Sequence, residues 1–288
     1  MTLLCPNCRR PLDPALRCSG GHRYAERDGV LALLEDGFAA ELSAFLARFE
    51  PIRASQAKPL LDPAAYERLP FGQDHHEWRA RCHDLAVIRR LLRGRPPRRG
   101  LDIGAWNGWL SHRLAQDGHD LTGIDYFADR HDGLGARRFY RAAWRAIQMD
   151  LLDLAVLDAP YDLIIINRCL QFMPDPLEYV RRARRLLAPG GRLVVIGVQC
   201  FRDPGAKARA VAAMQAEHRR RHGFELFLRP TRGYLDGADL RALRAAGLRF
   251  RAYPQLWAAN LKALLNPRLP LHCYGLAAAP APEETPGD

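Results

Sequence analysis

Lysine is nearly missing from this chain: Lys58, Lys207 and Lys262 are the only three among 43 basic residues. The formal net charge is nonetheless +11, carried by arginines spread over stretches such as "RRLLRGRPPRRG", "YVRRARRLL" and "EHRRRHG" rather than gathered in one tail. A surface of that sign attracts nucleic acid or anionic substrates, while an arginine preference of a genome rich in G and C gives the same composition with merely solvated faces. No run of 18 or more apolar residues occurs, which argues against a membrane-spanning segment, and no membrane partner is expected. The start "MTLLCPNCRR" lacks a basic region followed by a long apolar one, so a cytoplasmic protein is expected. Internal repeats are absent too.

What is present suits one large domain with a small appendage: 288 residues, 48% hydrophobic and 26% charged. Cysteines are odd in number, seven, and three of them fall within the first 18 residues. That distribution fits reduced thiols and a metal site better than disulfides. Cys5-x2-Cys8 and Cys18-x3-His22 form two close pairs separated by nine residues. Such pairs can converge on one tetrahedral zinc ion, and four protein ligands make a closed, structural site. So short a segment buries too little apolar area to fold alone, so the metal would supply the missing stabilisation. With its Cys-Pro-x-Cys knuckle and the ending "GHRYAERDGVLALL", the stretch resembles the small zinc ribbon found beside, or fused to, RNA and small-molecule methyltransferases, including the bacterial rRNA guanine-N1 enzymes.

Four regions are expected: a ribbon over residues 1–37, a helical linker or lid over 38–95, a main domain over 96–280 and a disordered tail over 281–288. In the second, "FAAELSAFLARF" has helical spacing, Pro51, Pro59, Pro63 and Pro70 imply an irregular connection, and "HEWRARCHDLAVIRRLLRG" predicts an amphipathic helix ending at Gly94. In the third, strand-like and helical stretches alternate: "RGLDIGA", "WLSHRLAQDG", "HDLTGIDYF", "RAIQMD", "YDLIIINRC", "PLEYVRRARRLLAPGG" and "RLVVIGVQC". Alternation of this kind predicts an α/β fold with a parallel sheet and helices on both faces. Ligands in such sheets sit beyond the carboxyl ends of the strands.

The loop "LDIGAWNGWL" lacks both common nucleotide fingerprints: its glycines are spaced Gly104-x3-Gly108, not G-x-G-x-x-G, and no Gly-Lys-Ser/Thr follows. Instead, residues 99–280 resemble class I S-adenosylmethionine (SAM)-dependent methyltransferases, with Asp102, Gly104 and Gly108 in the first motif. Asp125 ends the second strand, Asp150 with Met149 ends the third, and "LLAPGGRLVVIG" stands where the family has its Pro-Gly-Gly turn. The resemblance implies a Rossmann-like seven-stranded sheet with an antiparallel last strand. It also implies a SAM site built from Asp102, Gly104, Ala105, Trp106, Gly108, Asp125, Tyr126, Met149, Asp150 and Asn167. Carboxylates there accept hydrogen bonds from ribose hydroxyls and the adenine amine, and they attract a cation.

Two departures stand out. Trp106 replaces the family's middle glycine, and it packs aside, stacks on the cofactor, or fills its place; the last would make a non-catalytic scaffold. Leu170, Gln171 and Phe172 stand where relatives carry a substrate-facing histidine. Asp74, His75, His76 and Tyr234 are candidates for a general base, and Phe71, Trp78, Trp144, Phe172 and Trp257 for acceptor walls. The expected function is methyl transfer to a small-molecule acceptor, with RNA as the alternative acceptor. Against RNA, no cluster of basic and aromatic residues suited to stacking bases stands out.

Overall fold

Strand pairing builds one ten-stranded sheet in a computed structural model that describes residues 2–56, 62–96 and 98–279. The N-terminal segment folds through isolated bridges into a hairpin of β1 (Ala25–Arg27) and β2 (Val30–Ala32). Helices α1 (Asp36–Gln56), α2 (Pro63–Arg68) and α3 (His76–Leu92) follow. Then come β3 (Arg99–Ile103), α4 (Trp109–Gln116), β4 (Asp120–Asp125), β5 (Arg145–Gln148), β6 (Tyr161–Asn167), α5 (Pro176–Arg185) and β7 (Leu187–Phe201). The chain ends with α6 (Gly205–His222), β8 (Leu235–Asp236), α7 (Gly237–Ala245), β9 (Arg249–Ala252), α8 (Trp257–Leu265) and β10 (Pro270–Ala278).

The expected seven-stranded unit is present in the order β5-β4-β3-β6-β7-β10-β9, with β10 antiparallel to both neighbours. Its strand order reverses between β3 and β6, the place where sheets of this type leave a crevice. Side chains alternate across the sheet as the pleat requires. Leu101, Ile103, Ile164, Ile166, Leu193 and Val195 join one buried cluster, while Leu163, Ile165, Val194 and Ile196 join Leu85, Ile88, Leu110 and Leu114 on the other face.

Three strands extend that unit. β8 pairs with the end of β7, and β2 adds in parallel to β5, so the N-terminal hairpin covers what would otherwise be an open sheet edge. Leu3, Cys5, Leu12, Cys18 and Leu31 share a core with Ile147, Leu151 and Val156. Backbone bonds from Leu4 to Val156 and from Leu33 to Gln148, together with an Arg9–Asp153 ion pair at 2.7 Å, complete the junction.

The irregular connection expected after residue 49 begins later than the prolines suggested. Helix α1 runs through Pro51, giving up one backbone bond, because its Phe38, Phe45 and Phe49 pack on the rings of Tyr126, Phe224 and Phe127. Residues 57–61 and the expected tail at 281–288 lie outside the described residues.

Candidate cofactor and acceptor site

The loop after β3 is held in three left-handed turns of backbone, at Gly104 (φ 75°), Trp106 (φ 52°) and Gly108 (φ 78°). Two of these positions hold glycine for a second reason. A Cβ on Gly104 would lie 2.7 Å from Cys169 Sγ, and one on Gly108 would lie 2.1 Å from the Trp144 ring. Gly108 therefore serves packing between α4 and Trp144, whereas Gly104 borders the cavity described below.

Trp106 keeps the left-handed conformation despite its side chain, at a cost of about 1 kcal/mol. Its backbone N–H donates to Asp125 Oδ2 at 2.8 Å, and its indole Nε1–H donates to Asp132 Oδ1 at 2.7 Å. The ring stacks on Trp78 with centroids 5.5 Å apart and planes at 27°. Arg81 brings its guanidinium to 4.9 Å from both indole centroids. The side chain is thus tied back as a wall.

Beside that wall, at the carboxyl ends of β3, β4 and β6, lies a cavity of about 560 Å³. Gly104, Trp106, Asp125, Tyr126 and Asn167 border it, five of the ten residues expected to hold SAM. Asp102 lies beneath them, fully buried, accepting from Ser111 Oγ at 2.9 Å and from Asn167 Nδ2 at 3.2 Å. Burial pushes its carboxyl pKa up to about 7. Its place makes it a positioning residue for Asn167. Ala105 is buried in the loop, its N–H bonded to Ile124 O.

Asp125 accepts from the Trp106 and Phe127 amides, and burial, which outweighs these bonds, pushes its pKa up to about 6. Met149 and Asp150 border a second space, of about 470 Å³, between the N-terminal segment and α1. Asp150 is engaged by Tyr126 OH (3.3 Å), the Leu152 amide (2.9 Å) and Arg229 Nη2 (2.6 Å). Arg229 reaches Glu41 as well, at 3.1 Å, so the segment after α6 is pinned over this side of the site.

The candidate bases stand elsewhere. Asp74, His75 and His76 are exposed at the start of α3, where His75 caps the helix by accepting from the Glu77 amide at 3.4 Å. Tyr234 is covered by the Arg232 guanidinium, 5.3 Å from its ring. None of the four borders the cavity, and among the described residues no histidine does. Cys169 is in the wall, but burial pushes its thiol pKa far up, so it stays neutral. Of the aromatic candidates, Phe172 lines the cavity, Trp78 backs Trp106, Trp144 is buried under Gly108, and Phe71 and Trp257 are exposed away from it.

Much of the wall was not foreseen. Phe45, Phe49 and Arg53 of α1, Lys207, Val211 and Met214 of α6, and Phe227 after it close the side opposite the sheet. Arg168 is the most constrained of these residues. Its backbone is left-handed (φ 57°), its Nε donates to the fully buried Asp84 at 2.6 Å, and Tyr253 OH donates to the same carboxylate at 2.5 Å. A Cβ on Gly197 would lie 2.3 Å from Arg168 Cγ, so that glycine makes room for the arginine stem.

At the N-terminus, donor atoms of Cys5, Cys8, Cys18 and His22 all lie within 4.8 Å of one another. Cys8 Sγ and Cys18 Sγ are 3.5 Å apart, and Cys18 Sγ is 3.4 Å from His22 Nδ1. Burial raises the Cys18 thiol, but hydrogen bonds from His22, Cys8 and Gly20 outweigh it and bring the pKa down to about 6. Three soft thiolates and an imidazole on one centre are a donor set that suits zinc.

A parallel sheet of this order, with acids gathered at its switch point, defines the class I methyltransferase architecture. Residues 72–245 match the methyltransferase-domain family, and the chain belongs to it. It is 30% identical over 182 residues to a ubiquinone biosynthesis O-methyltransferase of Bordetella avium, covering 59% of this chain and 71% of the relative. A match to the malonyl-[acyl-carrier protein] O-methyltransferase of Hahella chejuensis, 32% identical over 103 residues, spans 33% of this chain and 34% of that protein. Among solved structures, the [4+2]-cyclase SpnF has a TM-score of 0.50 over 85% of this chain and 95% of its own, at 17% identity, a likeness of fold.

The cavity's residues fit the family's cofactor. Asp125 and Asp132 offer carboxylates, Asn167 an amide, and Gly104 a backbone free of side chain, while Tyr126, Phe127 and Leu151 add apolar surface.

Proposed function

We propose that the chain methylates an oxygen of a small, largely apolar acceptor that reaches the cavity as an anion. The observation that carries this reading is the mixed lining of the cavity wall. Asp125 and Asp132, the latter paired with Arg53 at 2.6 Å, and the cations Arg81, Arg168 and Lys207 are set in a wall otherwise rich in aromatic and aliphatic side chains. Bound SAM supplies a methyl group on a cationic sulfonium. Asp125 would accept from its hydroxyls, Asn167, bonded to Asp102, would meet its polar end, and Trp106, bonded to Asp125, would stand at one flank.

Methyl transfer is an in-line displacement, so alignment is the protein's main task. A base helps only when the acceptor carries a proton, and among the described residues the cavity holds no histidine to remove one. A carboxylate or an acidic phenolate needs none, and the Arg168 guanidinium, locked by Asp84, suits either. The O-methyltransferase names of the relatives support oxygen as the acceptor atom. Cys5, Cys8, Cys18 and His22 hold, in this reading, a structural zinc ion. The seven cysteines, all free, accord with a cytoplasmic setting.

The test is transfer of labelled methyl from SAM to a panel of apolar carboxylates and phenols, matched amines, and RNA transcripts. Label in the acids or phenols is the expected result. Label confined to amines or RNA, or none despite SAM binding, would overturn the proposal.

A further inference from the structure

We infer that α8 is a docking surface for an anionic lipid membrane. One of the helix's own side chains anchors it to β10: Asn260 Nδ2 donates to His272 O at 3.0 Å, and His272 N donates back to Asn260 Oδ1 at 2.7 Å. Asn260 and Ala263 face inward. The opposite side carries Trp257, Leu261, Leu264 and Leu265, which are 69%, 50%, 58% and 82% exposed, and Leu269 just beyond is 40% exposed. Four large apolar residues at helical spacing facing solvent form a stripe that a protein surface ordinarily covers. Trp257 and the leucines, with Lys262 exposed beside them, are side chains suited to the headgroup region of a bilayer, where a tryptophan ring and apolar chains meet lipid and a lysine meets its charged heads.

The charge around the stripe selects the occupant. Lys262 stands exposed on the helix, Arg202 is bonded to its last turn, Lys207 lies over Phe201 at the adjoining strand end, and Arg268 beyond the helix is paired with Asp203 at 3.5 Å, so cations outnumber acids there. A second copy of this chain would bring its own positive surface against this one, whereas an anionic lipid surface attracts it. Among the described residues no helix is long and apolar enough to cross a membrane. The expectation of no membrane partner rested on the missing apolar run, which speaks to spanning and not to surface docking.

Position links the stripe to the cavity. β10 starts opposite Phe201, the end of β7, so α8 lies at the carboxyl end of the parallel strands. Arg202 Nη2 donates to the Ala263 and Leu264 carbonyls at 2.6 and 2.7 Å, and the Asp203 amide donates to Pro267 O at 2.9 Å. Helix α6, whose Lys207, Val211 and Met214 line the cavity, starts two residues further on. Docking through α8 therefore sets the cavity's α6 wall near the lipid, where an apolar acceptor would be dissolved.

The full chain is sedimented with vesicles of phosphatidylcholine alone and of an equal mixture with phosphatidylglycerol. Binding to the mixed vesicles only, weakened by salt, is expected. Trp257→Ser with Leu265→Ser should weaken it roughly a hundredfold, since each large apolar side chain kept from lipid costs about tenfold. Lys262→Gln should weaken it about fivefold. Unchanged circular dichroism and SAM affinity of these variants show that the fold survives. Equal binding by the Trp257/Leu265 variant, or none by the natural chain, would overturn the proposal. So would a dimer in sedimentation velocity that the same variant dissociates, because the stripe then covers a second copy. Vesicle binding is read without any acceptor, so failure of the proposed chemistry leaves this result separate.

Discussion

Trp106→Gly and Trp106→Ala together separate what the indole contributes from what its backbone costs. Removing the ring loses the stack on Trp78, worth about 1 kcal/mol, and the Arg81 contact, worth a similar amount. It also loses the bond to Asp132, about 2 kcal/mol because the acceptor is charged. Glycine recovers about 1 kcal/mol of that loss by relaxing at φ 52°, and alanine does not. The glycine variant should therefore be about 3 kcal/mol less stable than the natural chain and the alanine variant about 4 kcal/mol, with glycine the better of the two. Urea unfolding followed by far-ultraviolet circular dichroism measures both. Alanine equal to or above glycine would refute the strain argument, and a glycine variant as stable as the natural chain would refute the anchoring network.

Other consequences are open to direct measurement. Gly108→Ala forces a Cβ to 2.1 Å from Trp144 at a left-handed φ, and it should cost about 3 kcal/mol or block folding in the same unfolding assay. Asp102 and Asp125 hold protons in the fold up to about 7 and about 6, where an unfolded chain has lost them near the ordinary 3.8. The folded state then binds more protons across that window, so stability should fall as pH rises from 4 to 7, and Asp102→Asn should flatten the upper part of the slope. With ribose hydroxyls proposed to pair with the ionised form of Asp125, SAM affinity should drop below pH 6 by close to tenfold per unit, as read by calorimetry. Elemental analysis should find one zinc per chain, and Cys18→Ser should lose it and lower the melting temperature, since Cys18 belongs to the core shared with β5's neighbours.

The sheet was legible because its signals are local. Runs such as "YDLIIIN" and "RLVVIG" announce buried strands, and of the three strand-end acids Asp125 borders the cavity, Asp102 lies beneath it and Asp150 faces the second space. β1 and β2, three residues each, carry no period to read, so their addition to β5 was invisible in the sequence. The far wall was equally hidden, because Phe45, Phe49 and Phe227 look like any core aromatic until the helices are placed. Gly108 is expected from the motif alone; the position of Trp144, which a Cβ there would meet, is a packing reason that the sequence does not show. His75 and His76 drew attention by residue type alone, and their place at an exposed helix start could not be read from the pattern. Arg168 had a signal that went unused, a charged residue directly after the buried strand "YDLIIIN".

Central to the proposed chemistry is Trp106 as a wall beside a cofactor site and not a plug within it. Isothermal titration of the natural chain and of Trp106→Gly with SAM and S-adenosylhomocysteine tests this most directly. Binding of one equivalent by the natural chain, with the glycine variant no tighter, is the predicted result. No binding by the natural chain and binding by the variant would show that the indole fills the cofactor's place, and the methyltransferase reading of this site would be wrong.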